Sequence, residues 1–514
     1  MARTRDVSNI LTQPFAVTLG TSNYRAGVNA GNSIASGGNF NVCVGDEAGT
    51  AITTGDYNVA LGKSSLQGTT TGSENIAVGG VALAANILGS FSTAIGSGSL
   101  QIQNYATATS AYNTAVGYAS GAAVTTGVGN TLIGGLAGDA LTDADNNVAI
   151  GIGALTSDTL GSRSIAIGEG ALATQNFTTA TLSYNTVVGS AAGYAVTTGI
   201  QNTLIGGLAG DSLTTGQENV AIGYAALDGD TAGKGSIAIG INSLGVQNFS
   251  TATYSNNVAI GHNSGASITT GVQNTILGAY AGDGTDDGQG NVAVGYSALS
   301  VNCGNNNTAT GRFALTNCTG GNNTAHGDQA GNNVTSGSNN LFLGKDAGIT
   351  GSPGGNITTA SNTLVIGDEN ISASHIQTDW TVASDQRDKT DFTALDVGLD
   401  FVNALKPVTY KWDKRSKYGD KTADDYDLNN ITTDGTHKED WLDIGFKAQE
   451  VEAIEKAAGY KIADKTNLTT SITGDGKQYG IQYSKFVPIL VKAIQELTAL
   501  NTALAARVKT LEDA

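Results

Sequence analysis

The chain has 514 residues, of which 71 are Gly and 4 are Pro, and only 14% are charged, against about a quarter in ordinary domains. Its formal net charge of −18 argues against nucleic acid as a partner. The 40% apolar content excludes wholesale disorder, and Gly without a three-residue period excludes collagen.

The composition changes sharply near residue 384. Residues 1–383 contain 8 basic residues, 22 acidic residues and 63 Gly, whereas residues 384–514 contain 18, 22 and 8. We therefore predict an N-terminal attachment segment (1–40), a repeat shaft (41–370), a neck (371–383) and a C-terminal domain (384–514). The first residues lack the apolar segment of a signal peptide, and the absence of 18 consecutive apolar residues predicts no membrane insertion. Three cysteines fit assembly in a reducing cytoplasm.

The shaft is predicted from a five-residue block of the form Asn-apolar-small-apolar-Gly, such as Asn147–Gly151. Nineteen blocks begin between residues 41 and 362, at steps of 17, 17, 17 and 21 that repeat every 72 residues. Sixteen begin with Asn, and the three exceptions begin with Ser92, Ser164 and Ser236. So regular a period predicts a parallel β-solenoid of 17-residue coils, each with about two short strands.

The block suggests how a coil is built. Gly supplies the positive φ or the close approach of a corner, and the Asn side chains can stack as a ladder between coils. We expect the outer Val, Ile or Leu pair of each strand to fill the coil. The Ala face would then pack against other chains, because so thin a coil buries little by itself. This predicts a homotrimer.

This repeat resembles the left-handed parallel β-roll of trimeric autotransporter adhesin heads, which have Asn-x-Val-Ala-Ile-Gly repeats. The resemblance covers about 330 residues. It implies a trimeric β-roll.

Once per super-repeat a coil is four residues longer, at residues 103–112, 175–184 and 247–256. Each insertion carries aromatic residues beside amides and hydroxyls, which is typical of a sugar-binding loop. The alternative is a bulged corner whose aromatic ring packs against its own or a neighbouring chain. The candidate receptor residues are Tyr105, Tyr112, Phe177, Tyr184 and Phe249.

The C-terminal domain is predicted to be a small α/β domain. Apolar alternation favours strands near 408–412, 443–446 and 479–483, and a helix is expected over about 448–458. A last helix (about 484–512), with Ser484 as its N-cap, carries apolar residues at alternating steps of 4 and 3, which is typical of a coiled coil with one polar position. The predicted trimer seam is Leu490, Ile494, Leu497, Asn501, Leu504, Val508 and Leu511.

Four motifs in this domain lie at 384–389, 405–412, 445–450 and 483–497. In this order they resemble the endosialidase-type intramolecular chaperone of phage tailspikes and tail fibres. The resemblance implies a domain that trimerises, guides folding of the preceding shaft and cuts itself off between Ala383 and Ser384. It makes Ser384 the nucleophile and Lys389 the base of a self-cleaving serine peptidase that acts once.

Further motif residues are Asp385, Arg387, Gln449 and Glu450. The chain departs from the family at Asp388, where Leu is usual. A carboxylate there is expected to hold Lys389 in its protonated form and to weaken it as a base.

Together these features predict a phage tail fibre for host attachment, carried on the virion and assembled in the host cytoplasm. Its partners would be two further copies of the chain, baseplate or tail proteins at the N-terminus, and a host surface glycan or protein. The alternatives are a depolymerase tailspike, for which acidic residues on the repeats are sparse, and a bacterial trimeric adhesin, for which no secretion or anchor signal is predicted. We predict no cofactor and no metal site.

Overall fold

The computed structural model describes residues 20–377, 381–421, 423 and 425–514. Residues 1–19 of the predicted attachment segment and 378–380 of the predicted neck lie outside this description. The chain folds as two compact units, one ending at Asn307 and the other running from Thr308 to Ala514.

The first unit is a parallel β-solenoid, as predicted. Each strand pairs in parallel with the strand of the next coil, so that Val148 lies opposite Ile165 and Ile165 lies opposite Thr186. Within the described residues the sheet of this unit has sixteen strands: Tyr24–Ala26, Val42–Val44, Val59–Leu61, Ile76–Val78, Thr93–Ile95, Thr114–Val116, Thr131–Ile133, Val148–Ile150, Ile165–Ile167, Thr186–Val188, Thr203–Ile205, Val220–Ile222, Ile237–Ile239, Val258–Ile260, Thr275–Leu277 and Val292–Val294.

The expectation of two strands in every coil is wrong. Most coils have one three-residue strand, and turns complete the rest of the circuit. A second parallel pair forms once per super-repeat, at the corner where the four extra residues are inserted. These pairs are Gly89–Ser90 with Thr109–Ser110, Gly161–Ser162 with Thr181–Leu182, and Gly233–Lys234 with Thr253–Tyr254.

The predicted Asn ladder is confirmed. Asn75 Nδ2 donates to Asn58 Oδ1 (3.1 Å) and to the Gly89 carbonyl (2.9 Å), and the Asn75 backbone N–H also donates to Asn58 Oδ1 (3.0 Å). These side chains are fully buried, so each amide satisfies backbone groups that water cannot reach. The corner Gly is required too: Gly62 has φ +131°, and a Cβ there would lie 2.6 Å from the Gly79 carbonyl oxygen.

The prediction of which strand face fills the coil is wrong. Ala149 is fully buried, whereas Val148 and Ile150 on either side of it are only partly buried. The same pattern recurs along the sheet. In each three-residue strand of this kind the middle side chain points into the coil, and the branched residues on either side of it point outward. The outward face therefore carries two partly exposed apolar side chains in most coils.

Interior volume is kept nearly constant by a reciprocal choice of residues. Where the inward strand residue is Ala149, the residue six positions on is the buried Leu155. Where it is Leu132, that position is Gly138, and a Cβ there would approach Leu132 Cδ2 to 2.8 Å. The three cysteines are free and buried, as expected of reduced thiols; they are Cys43, Cys303 and Cys318.

The solenoid differs from the predicted blocks at both ends. A coil precedes residue 41, since Tyr24 pairs with Val42 and Asn23 Oδ1 accepts from the Asn41 backbone N–H at 2.8 Å. In the last coil, Thr363 and not Asn362 occupies the ladder position, because its N–H donates to Asn340 Oδ1 at 2.9 Å.

The second unit contains further solenoid coils and the C-terminal domain. Its solenoid strands are Thr308–Thr310, Thr324–His326, Leu341–Leu343 and Leu364–Ile366. The domain has two antiparallel hairpins, Val408–Tyr410 with Asp443–Gly445 and Thr470–Ile472 with Tyr479–Ile481. Its helices are α1 (Leu399–Ala404), α2 (Ala448–Ala457) and α3 (Phe486–Glu512), and the short 3-10 turns are Gln386–Asp388, Arg415–Lys417, Leu428–Asn430 and Tyr483–Lys485.

The predicted strands and α2 are confirmed, and α3 begins at Phe486 after a 3-10 turn rather than at a Ser484 cap. Helix α1 and strand Thr470–Ile472 were not predicted. The helices and the second hairpin surround a core of Val397, Phe401, Val451, Phe486 and Ile489.

Helix α3 continues well beyond this core. By length and composition, residues Tyr483–Glu512 could cross a membrane, but one such helix is weak evidence for a span. Its exposed apolar side chains include the predicted seam and also Val487, Val491 and Leu500.

Candidate active site

Ser384 lies in an exposed segment just before the first 3-10 turn of the C-terminal domain. Asp385 caps that turn, because its Oδ1 accepts from the Arg387 backbone N–H at 2.9 Å. The turn reverses the chain over Gln386–Asp388, so that Lys389 returns toward Ser384.

The structure brings the predicted nucleophile and base together. Lys389 Nζ lies 2.5 Å from Ser384 Oγ and 3.4 Å from the Ser384 carbonyl oxygen. A serine hydroxyl becomes a nucleophile when a neighbouring base accepts its proton. At this distance a neutral Lys389 could accept the proton of the Ser384 hydroxyl.

Two acidic residues, Asp385 and Asp388, lie close to this pair in the sequence. Asp385 forms an ion pair with Arg387 (2.6 Å), and this hydrogen-bonded partner lowers the pKa of Asp385. Within the described part of the chain, no ion pair joins Asp388 to Lys389. The effect of Asp388 on the base stays a prediction.

Gln449 and Glu450 lie in the first turn of α2. Lys447 Nζ lies 3.0 Å from Glu450 Oε1, and its hydrogen bond lowers the pKa of Glu450. Among the described contacts, none joins Gln449 or Glu450 to Ser384.

The third and fourth motifs do meet each other. The Phe446 ring lies against those of Tyr483 and Phe486, and Tyr483 Oη accepts from the Phe446 backbone N–H at 3.3 Å. These motifs therefore position the start of α3 beside the first hairpin.

The predicted seam is exposed in the single chain. The apolar members, from Leu490 to Leu511, each leave between 43% and 71% of their surface uncovered, and Asn501 is exposed as well.

The candidate receptor aromatics divide into two groups. Tyr105, Phe177 and Phe249 are buried, and Tyr105 Oη donates to the Gly127 carbonyl at 2.8 Å, which agrees with the packing interpretation. Tyr112 and Tyr184 are exposed. Tyr112 stacks on Phe91, and Tyr184 accepts a hydrogen bond from Arg163 (3.0 Å). Receptor contact stays a prediction for these two.

Sequence reasoning missed the residues that bridge the gaps in the Asn ladder. Where Ser164 replaces Asn, the buried Gln175 donates to Ser164 Oγ (2.9 Å) and accepts from Asn185 Nδ2 (2.8 Å). Gln175 Nε2 also donates to the buried Asp158 at 2.6 Å. The signal was present, since Gln103, Gln175 and Gln247 recur every 72 residues with the three Ser exceptions.

Comparison with protein families supports the C-terminal motifs. Residues 384–460 match the family model described as chaperone of endosialidase. The match begins at the candidate nucleophile and includes α2. It ends before the motif at 483–497. No curated protein and no solved structure matches the chain.

Over the residues that the structure describes, no group of three or more His, Cys, Asp or Glu side chains could hold a metal ion.

Proposed function

We propose that this chain is a phage tail fibre whose C-terminal domain, residues 384–514, is an intramolecular chaperone that assembles the shaft and then cuts itself off. The observation that carries the proposal is the contact between Lys389 Nζ and Ser384 Oγ at the first residue of the chaperone match. A long repeat solenoid precedes this site. A solenoid of this kind is expected to need a separate domain that guides its assembly.

The cleavage would proceed as an acyl transfer. The Ser384 hydroxyl attacks the Ala383 carbonyl carbon, Lys389 accepts the hydroxyl proton, and the C–N bond breaks as that proton is delivered to the new amino group. Water then hydrolyses the ester. A Lys serves as a base when burial or a nearby cation lowers its pKa. Both side chains are exposed in the single chain, so we expect cleavage to follow packing of the assembled fibre.

A homotrimer is supported by two exposed apolar surfaces. The outward sheet face carries partly exposed residues such as Ile76, Ile95 and Ile205, and α3 carries its uncovered seam. Monomeric soluble proteins rarely expose apolar surfaces this extensive. In this proposal the outward face, and not the Ala face, packs between chains.

The remaining partners follow from this role. The N-terminus would attach to baseplate or tail proteins, and the fibre would contact a host surface glycan or protein, with Tyr112 and Tyr184 as exposed candidates. The fibre would be assembled in the host cytoplasm and carried on the virion.

The test of self-cleavage is the intact mass of purified protein after prolonged incubation. We expect wild type to give fragments 1–383 and 384–514, and Ser384→Ala and Lys389→Ala to stay intact. Asp388→Leu should cleave faster than wild type, because it removes a carboxylate beside the base. Wild type that remains at full mass would overturn the peptidase part of the proposal.

A further inference from the structure

The C-terminal domain contacts the last solenoid coils of its own unit through side chains that lie away from the cleavage site. Lys414 Nζ donates to the Glu369 carbonyl oxygen at 2.7 Å, and Lys421 forms an ion pair with the Glu369 carboxylate. On the same side, Asp475 Oδ2 accepts from the Asn356 backbone N–H at 3.1 Å. These contacts join residues 356–369 of the solenoid to two segments of the domain, residues 414–421 and the turn at Asp475.

The surfaces are closely packed around these polar contacts. A Cβ added to Gly351 would lie 2.8 Å from Ser416 Cβ, and one added to Gly355 would lie 2.7 Å from Thr473 Cβ. Ser416 and Glu369 are both buried. The backbone of the last turns thus approaches the domain too closely for any larger side chain.

Charge in this contact is complementary and largely removed from water. The Glu369 carboxylate is 6% exposed and lies against Lys421, which is 29% exposed. Solvent ions screen a partly buried pair less than an exposed one, and loss of one partner leaves the other charge uncompensated.

The segment of chain that connects the two surfaces is exposed, unlike the surfaces themselves. Residues 371–377 and 381–385 are exposed and have no regular secondary structure. The predicted cut between Ala383 and Ser384 lies in this link and removes none of the contacts described above.

We propose that residues 351–369 form a seat that holds the C-terminal domain on the end of the shaft after the chain between them has been cut. The domain then remains as a non-covalent cap, with the Lys421–Glu369 pair as its main polar contact. This inference builds on the proposed self-cleavage, but the seat itself exists whether or not Ser384 is active.

The experiment therefore makes the cut independently of Ser384. In full-length Ser384→Ala protein, residues 372–377 are replaced by the recognition sequence of a site-specific protease, and the chain is cut after purification. Size-exclusion chromatography at low and high salt then measures the fraction of the C-terminal fragment that elutes with the shaft. Intact-mass analysis of wild type, run separately, reports on self-cleavage, so failure of one idea is distinguishable from failure of the other.

We expect the cut domain to co-elute with the shaft, and Glu369→Gln and Lys421→Met to release at least tenfold more of it. Lys456→Met is the matched control, because it removes the same charge from α2, where Lys456 pairs with Glu452. Circular dichroism and sedimentation of the uncut variants establish that they fold and assemble as the parent does. Lys421 is partly exposed, so its variant serves if Glu369→Gln misfolds. Complete separation of the cut parent, or equal retention in all variants, would overturn the seat.

Discussion

The shaft and the C-terminal domain are stabilised by different kinds of contact. In the shaft the same amide ladder recurs from coil to coil, so Asn58 and Asn147 have closely similar surroundings. In the domain each contact occurs once, such as that of Glu496 with the Leu399 backbone N–H, 97 residues away in sequence (2.7 Å). Repeated contacts stabilise a fold but cannot distinguish one register from another shifted by 17 or 72 residues. Unique contacts can.

Deletion of the domain should have the largest effect. Chains ending at residue 383 would lack every unique register contact of 384–514, and parallel sheets fold slowly and expose unpaired strands meanwhile. We expect mostly insoluble or misassembled protein, measured as soluble yield and by electron microscopy. The comparison would fail if 1–383 gave as many soluble rods as full-length Ser384→Ala.

Substitution of a single Asn of the ladder should have the next largest effect on stability. Asn147 Nδ2 donates to the Gly161 carbonyl (2.9 Å), and its Oδ1 accepts from the Ser164 N–H (2.8 Å). Asn147→Ala leaves both buried groups unsatisfied and should destabilise the shaft by about 3 kcal/mol. Thermal unfolding measures this, with Asn104→Ala as the exposed control. Equal effects of the two substitutions would show that the ladder is not what stabilises the coils.

The reciprocal packing of the interior predicts a coupled pair of substitutions. Ala149→Leu should overpack the coil and cost about 2 kcal/mol, whereas Leu155→Gly should leave a cavity. The double variant recreates the Leu132–Gly138 pattern of the preceding coil, so it should be less destabilised than the sum of the single variants. Strict additivity in the double-mutant cycle would contradict this packing rule.

A fall in pH should change the stability of the shaft and of the domain in opposite directions. This is the smallest of the expected effects. Burial raises the pKa of Asp158, so its contribution to shaft stability is fully present below its ordinary value of 3.8 and is lost as pH rises through the raised pKa. In the domain, burial of Glu455 raises its pKa, but hydrogen bonds from Thr469 and Thr470 outweigh this and lower it. That contribution is present above the ordinary value of 4.5 and is lost as pH falls.

Between neutral pH and about pH 4, the thermal midpoint of the domain should therefore fall by a few degrees relative to that of the shaft. Asp158→Asn should reduce the response of the shaft, since Asn86 occupies the same place one super-repeat earlier without a charge. If calorimetry showed the thermal midpoints of the shaft and the domain shifting by the same amount, this difference between the two regions would be refuted.

The sequence predicted much of the shaft because every coil repeats the same information. The strand positions, the Asn ladder and the corner Gly follow from the Asn-x-x-x-Gly blocks, and the position of Lys389 near Ser384 follows from the motif. Helix α2 was also predicted to within a residue. In each case a local pattern determines a local structure.

The remaining features depend on three-dimensional context. Alternation shows that Val148 and Ala149 face opposite ways, but only the path of the whole coil decides which of them faces inward. The coil at Tyr24 was missed because Arg25 interrupts the apolar pattern, although Asn23 and Gly27 keep the block spacing. Contacts between distant segments, such as that of Glu369 with Lys421, do not produce a repeating pattern in the sequence.

The central claim is that the outward sheet face and the α3 seam are covered by two further copies of the chain. Sedimentation of full-length Ser384→Ala tests this most directly, since the chain cannot be shortened by its own cleavage. The account predicts a single species of three times the chain mass. A stable, folded monomer with an intact shaft would contradict it.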